Sequence, residues 1–163
     1  MKNKKYLTII IILLIFLLFI VFIMSKNKTR TIDRLINQLE SALNEHNIEM
    51  IVELYPDFYR DTIRQNLSQT KIDEFYNKVI LNDDKIQIEI VYVTNSDFDI
   101  KKVESDINKK CNTNIHVQEY KYVNINYHED FGKPTIAVVK IKNNYYLDPS
   151  SYYPEPIQYF IVD

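Results

Sequence analysis

The strongest pattern along the chain is an apolar run of 18 residues from Leu7 to Met24, broken only by Thr8. A helix rises about 1.5 Å per residue and a hydrocarbon core is about 30 Å thick, so this run with Tyr6 and Ser25 makes one crossing. Beyond it the pattern turns amphipathic. Ile32, Leu35, Ile36, Leu39 and Leu43 recur at helical spacing behind Thr29 or Thr31 as cap, which predicts a helix over 31–46. A second helical segment, 48–55, is closed by Tyr55-Pro56 because proline disfavours helix in the residue before it, and a short helix follows over 57–67. Ile72, Phe75, Tyr76, Val79 and Ile80 form another stripe, capped by Ser68 or Thr70 and stopped at Asn82-Asp83-Asp84.

At Ile86 the period drops to two. Ile86, Ile88, Ile90 and Tyr92 alternate with Gln87, Glu89, Val91 and Val93, as in a half-buried strand. One helix interrupts the strands that follow: Ile100, Val103, Ile107 and Cys111 share a face, Ser96 is the expected cap, Asp97 and Asp99 fall in the first turn, and Lys109 and Lys110 in the last. Strands are predicted over 115–127 and 135–142, joined by a turn at the single glycine, Gly132. A tight turn at Asn143-Asn144 returns the chain into Tyr145–Leu147, since Asn tolerates positive φ. Pro149, Pro154 and Pro156 then prevent central strand pairing until 157–162, an edge strand or loose tail. The fold class expected is α+β, with helices packed on a curved antiparallel sheet.

Signal-peptide cleavage is not expected, because the run is too long and Ile23-Met24-Ser25 offers a single small residue. The lipoprotein route needs a cysteine after the run, and a type IV pilin needs a glutamate near its start; neither is present. Lys2, Lys4 and Lys5 face Lys26, Lys28 and Arg30 across the run, so flanking charge does not choose an orientation. A short basic N-terminal tail ahead of a first helix ordinarily stays inside. The expected organisation is therefore a cytoplasmic tail (1–5), a membrane helix (6–25) contacting the bilayer, a linker (26–30) and an extracytoplasmic domain (31–163), with its core over 31–148 and a Tyr/Pro-rich segment over 149–163.

Six of the 20 basic residues and none of the 22 acidic ones lie in the first 30 positions, so the domain carries a net charge of about −8. That excess of acid argues against a nucleic-acid partner, whose footprint is a basic stripe. Cys111 is the single cysteine, which excludes an intramolecular disulfide and zinc sites built on paired cysteines. Abundant Asn, Ile, Lys and Tyr with one Gly point to an AT-rich bacterial genome.

Helices first, then an antiparallel sheet interrupted by one helix and ending in Val138-Val139-Lys140-Ile141-Lys142-Asn143-Asn144-Tyr145-Tyr146-Leu147, resemble the nuclear transport factor 2-like (cystatin-like, SnoaL-like) superfamily over about 31–148. Asn144 stands where that hairpin usually has Gly, and Tyr145 where it usually has Trp. The resemblance implies a cone of helices and curved sheet whose open end becomes a pocket in some members and is filled in others. Fold therefore leaves function open. Single-pass versions with the domain outside resemble assembly proteins of type IV secretion and conjugation machines.

Enzymes of that superfamily place a carboxylate and a tyrosine or histidine inside the cone, and Asp57, Tyr59, Asp61, His116 and Tyr120 are the pieces available for a pocket here. Their plainer roles are capping (Asp57), rim packing (Tyr59) and an outward-facing strand position (His116). His128-Glu129-Asp130 offers three ligand atoms in one turn, but adjacent side chains rarely converge, so a solvated turn is expected and no metal or cofactor. Tyr145, Tyr146, Tyr152, Tyr153 and Tyr159 are dense for so short a stretch, and tyrosine is enriched at interfaces, which makes this segment the candidate interaction surface. The chain reads as a membrane-anchored, non-catalytic interaction or assembly module with a protein partner in the cell envelope. Its rival is a small-ligand-binding cone, which would keep an apolar cavity with converging polar groups.

Overall fold

The computed structural model describes residues 29–67, 70, 85–126 and 135–150. The predicted membrane helix, the stripe from Ile72 to Ile80, the Gly132 turn and the segment after Ser150 lie outside the described residues. Within them the chain is α+β: four helices and a four-stranded antiparallel sheet in the order β1-β2-β3-β4.

Helix α1 (Ile32–Asn44) starts where Thr31 accepts a hydrogen bond from the Arg34 N–H, and its stripe Leu35, Ile36, Leu39, Ala42 and Leu43 is buried throughout. Full burial of each large side chain in such a stripe contributes roughly 1.5–3 kcal/mol of transfer free energy. Asn47 caps α2 (Ile48–Val52) by accepting from Met50 N–H; Pro56 then introduces a 3-10 turn (Asp57–Tyr59) that runs into α3 (Arg60–Asn66). Lys85 to Ile88 belongs to no helix or strand, and side chains of α1 supply partners for its backbone. Asn44 Oδ1 accepts from Ile86 N–H at 2.8 Å, Asn44 Nδ2 donates to the Ile86 carbonyl at 2.8 Å, and Glu40 accepts from Ile88 N–H at 2.7 Å.

Strand β1 (Glu89–Asn95) pairs with β2 (Val117–Asn126), which pairs with β3 (Thr135–Ile141) and then β4 (Asn144–Leu147). A bulge between Ile90 and Tyr92 breaks the alternation expected there. Ile90 stays with the α1–α3 core, but the additional residue sends Tyr92 to the opposite face, where it is 54% exposed. Helix α4 (Ile100–Cys111) is capped by Asp99, which accepts from Lys101 N–H; Ser96 accepts from Phe98 N–H, one turn too early to cap. The last hairpin also shifts by one residue. Its positive-φ positions are Lys142 (49°) and Asn143 (65°), and Asn144 already belongs to β4. Two consecutive positive-φ residues match the right-handed twist of the flanking strands, which offsets the steric cost at Lys142.

Both faces of β3 are covered. Ile136 and Val138, with Val123, Ile125 and Leu147, pack against α1–α3, whereas Ala137, Val139 and Ile141, with Val117 and Tyr120, pack beneath Val103 and Ile107 of α4. The outer edge of β4 is closed by the helical half: Tyr145 N–H donates to the Arg30 carbonyl and Leu147 N–H to the Leu54 carbonyl, both at 3.0 Å.

Candidate functional site

The exit from β4 places a carboxylate, Asp148, inside the fold. Asp148 N–H donates to the Ala137 carbonyl, extending the β4 pairing by one residue and aiming the side chain to the α4 face. There it is 3% exposed, the one buried polar or charged residue among those described. Tyr120 O–H and Ser150 O–H each donate to Asp148 Oδ2 at 2.5 Å, and Ser150 N–H donates to Oδ1 at 2.8 Å. Lys110, in the last turn of α4, closes the cluster by donating to the Pro149 carbonyl at 2.8 Å and the Tyr59 hydroxyl at 3.1 Å. Burial pushes the Asp148 carboxyl above its ordinary range, opposed by the Ser150 and Tyr120 hydrogen bonds and the Lys110 charge. Burial, then the neighbouring Asp148 charge, raises the Tyr120 phenol well above its ordinary value. Two of the sequence candidates, Tyr59 and Tyr120, belong to this cluster. Asp148 was not among them, because an Asp-Pro after a strand reads as a surface turn; its position beside the fully buried Leu147 is the one local hint.

A second polar cluster lies on the opposite face. Glu119 accepts from Lys121 (2.8 Å), Lys140 (2.6 Å) and the Tyr145 hydroxyl (2.6 Å), and Lys121 first, then Lys140 and Tyr145, hold its carboxyl down to about 2. Glu119→Gln is expected to cost about 1 kcal/mol, since charge-assisted bonds are the stronger kind but this site stays partly open to water. A carboxylate with a depressed folded pKa stabilises above its unfolded value and loses that contribution as acid protonates it. The gap between wild type and variant, read from urea denaturation, therefore closes between about pH 4.5 and pH 2; a gap constant over that window would rule this out.

Of the three remaining candidates, Asp57 and His116 meet in a groove of about 600 Å³ at the hairpin end of the sheet, with Phe58, Ile141, Lys142 and Tyr146 among its walls. Their polar atoms are engaged elsewhere. Asp57 pairs with Arg60 at 2.8 Å and its side chain is 85% exposed; the His116 ring, 80% exposed, bonds Glu104 at 2.8 Å. The Val117 N–H, then His116, hold the Glu104 carboxyl below its usual value. Asp61 pairs with Arg64 at the surface. Of the tyrosine-rich segment, Tyr145 bonds Glu119 and Tyr146 lies half-buried under the Arg30 guanidinium, 5.0 Å from its ring centre. Tyr152, Tyr153 and Tyr159 lie outside the described residues, as does His128-Glu129-Asp130. Cys111 packs between the two cores, and burial raises its thiol pKa.

No group of His, Cys, Asp and Glu among the described residues has the geometry to hold a metal ion. Among the same residues, no helix is long and apolar enough to cross a membrane. No protein-family model matches the chain, and no curated protein or solved structure matches it.

Proposed function

We propose that this chain is a single-pass membrane protein whose α+β domain, a cone of the nuclear transport factor 2-like kind, stands outside the cytoplasm as a non-catalytic interaction or assembly module of an envelope complex. The observation that carries this reading is the disposition of its acid–base groups. The buried carboxylate, Asp148, spends its oxygens on Tyr120 and Ser150 beneath α4, away from the groove, where Asp57 and His116 are solvated. A proton-transfer site requires the reverse, a perturbed carboxylate facing a cavity. The filled interior, in which Val138, Val139 and Ile125 are fully buried, supports a scaffold.

The groove favours the second reading, a small-ligand site, because its volume falls in the range of such sites. Arg30, which caps the Tyr146 wall, follows Ser25 by five residues in the sequence. A photoreactive amino acid at Lys142 in the full-length protein, in its own membranes, separates the two. An interaction module yields a discrete protein adduct at Lys142 and none from the same probe at exposed Ser105 on α4. Loss of the Lys142 adduct, or recovery of the protein from alkali-washed membranes in the soluble fraction, would defeat the reading.

A further inference from the structure

The floor of the groove at the hairpin end of the sheet is apolar: Pro56 and Ile141 are buried, and Phe58, Ile115 and Tyr146 half-buried. Its rim is polar, but most of the rim's charged and amide groups are already spent. Asp57 is paired with Arg60, the His116 ring with Glu104, and both ends of the Gln118 amide with Asn143, at 2.8 and 3.3 Å. The charge left over is positive. The Lys142 ammonium is exposed and makes no hydrogen bond or ion pair with a described residue. The Arg30 guanidinium, half-buried over the Tyr146 ring, donates to the Glu53 carbonyl at 2.9 Å and has no carboxylate at ion-pairing distance among the described residues. Asn144 ties the two cationic residues together: its Oδ1 accepts from Arg30 N–H at 2.7 Å, and its Nδ2 donates to the Lys142 carbonyl at 3.3 Å. Burial lowers the Arg30 pKa, and the Arg60 and Arg34 charges lower it further against Tyr146 and Glu53. An anion would therefore relieve a guanidinium that is both desolvated and repelled.

We propose that the groove binds a single-chain amphiphile with an anionic head, its chain lying along Phe58, Ile115, Ile141 and Tyr146 and its head at the Arg30–Lys142 end. The volume, about 600 Å³, lies in the range of small-ligand sites, and the apolar floor supplies affinity for a hydrocarbon chain. The head is chosen by charge. A guanidinium fork matches carboxylate or phosphate oxygens, and Lys142 adds a point charge on a flexible stem. A neutral ligand would leave both cations without a counter-charge, and a cationic one would be repelled by them. The domain is acidic overall, so this end of the groove is set apart from its surface by sign. The proposal names a ligand class for the small-ligand reading of the groove, on which it rests, and does not require the membrane anchor.

Lysine modification by an N-hydroxysuccinimide ester, read residue by residue by mass spectrometry on the full-length protein in nanodiscs of zwitterionic lipid, tests the proposal. Titrated dodecanoate should slow Lys142 about tenfold once its free concentration is about ten times the half-occupancy value, since the unoccupied fraction sets the rate. Exposed Lys101 and Lys102 on α4 should keep their rates and so report any general effect of ligand in the bilayer. Dodecyl phosphate, run alongside, identifies the head by which of the two protects at lower concentration. Dodecanol, which lacks the charge, and acetate, which lacks the chain, should leave Lys142 unprotected. Arg30→Gln keeps the backbone bond to Asn144 and the reporter lysine; it should weaken binding about tenfold and leave about twofold slowing at the same dodecanoate concentration. Protection by neither anion, or protection undiminished in Arg30→Gln, would overturn the proposal. Dodecanol protecting as well as dodecanoate would overturn it with the small-ligand reading intact, whereas protection by none of the four compounds would remove both.

Discussion

Leu39→Ala is expected to lower the unfolding free energy of the domain by about 3 kcal/mol, the middle of the range for removing a buried leucine. Leu39 is 0% exposed at the centre of the α1 stripe, between Leu35, Ile36 and Leu43, in the core that α1–α3 share with Val123, Ile125 and Val138. Truncation removes the transfer free energy of three carbons and leaves a hole that helices tied at both ends cannot collapse to fill. Those ties are specific: Thr31 caps one end of α1, and Asn44 is doubly bonded to Ile86 at the other. Urea denaturation of the full-length protein in detergent, followed by far-UV circular dichroism, measures the loss. Gln65→Ala, at an exposed position on α3, is the control and should stay within about 0.5 kcal/mol of wild type. A Leu39→Ala protein as stable as that control would mean the core is not packed as described.

The second large effect is expected at the buried carboxylate. Tyr120→Phe removes one of three donors to Asp148 and should cost about 1.5–3 kcal/mol at neutral pH, the range for hydrogen bonds to charged groups. Its pH dependence is the sharper signature. Burial raises the folded-state pKa of Asp148, so its stabilising proton is fully held below the unfolded value near 3.8 and is lost as pH climbs through the folded value. The Tyr120 bond opposes that rise, so its removal raises the folded pKa further and adds to the cost of ionising Asp148. The deficit of Tyr120→Phe should therefore be larger at pH 8 than at pH 4. In the Asp148→Asn background the same substitution should show no such trend. A deficit equal at both pH values would show that the phenol does not serve the carboxylate.

Much of the secondary structure was legible because local periodicity and burial coincide in it. The stripe on α1 and the face of α4 from Val103 to Ile107 each repeat often enough to select one side. Where a single residue decides, pattern alone misled. One inserted position, the bulge after Ile90, puts Tyr92 on the face opposite Ile86 and Ile88, and a one-residue shift makes Lys142-Asn143 the hairpin turn in place of Asn143-Asn144. Such steps depend on how β2 and β4 lie alongside, which no window of β1 or β3 contains. The candidate site was legible only in its parts. Asp57, Tyr59, His116 and Tyr120 were all flagged for one pocket, but they divide between a solvated groove and a closed cluster centred on Asp148.

By itself the sequence determined the α+β class and the order of most helices and strands among the described residues, the acidic balance beyond residue 30, and the absence of an intramolecular disulfide, since these follow from period, composition and count. The tertiary structure decided which polar groups leave water. Asp148, Tyr120 and Lys110 are separated by up to 38 positions, and burial of a charge is a property of the layers that close over it, here α4 on one side and β3 on the other.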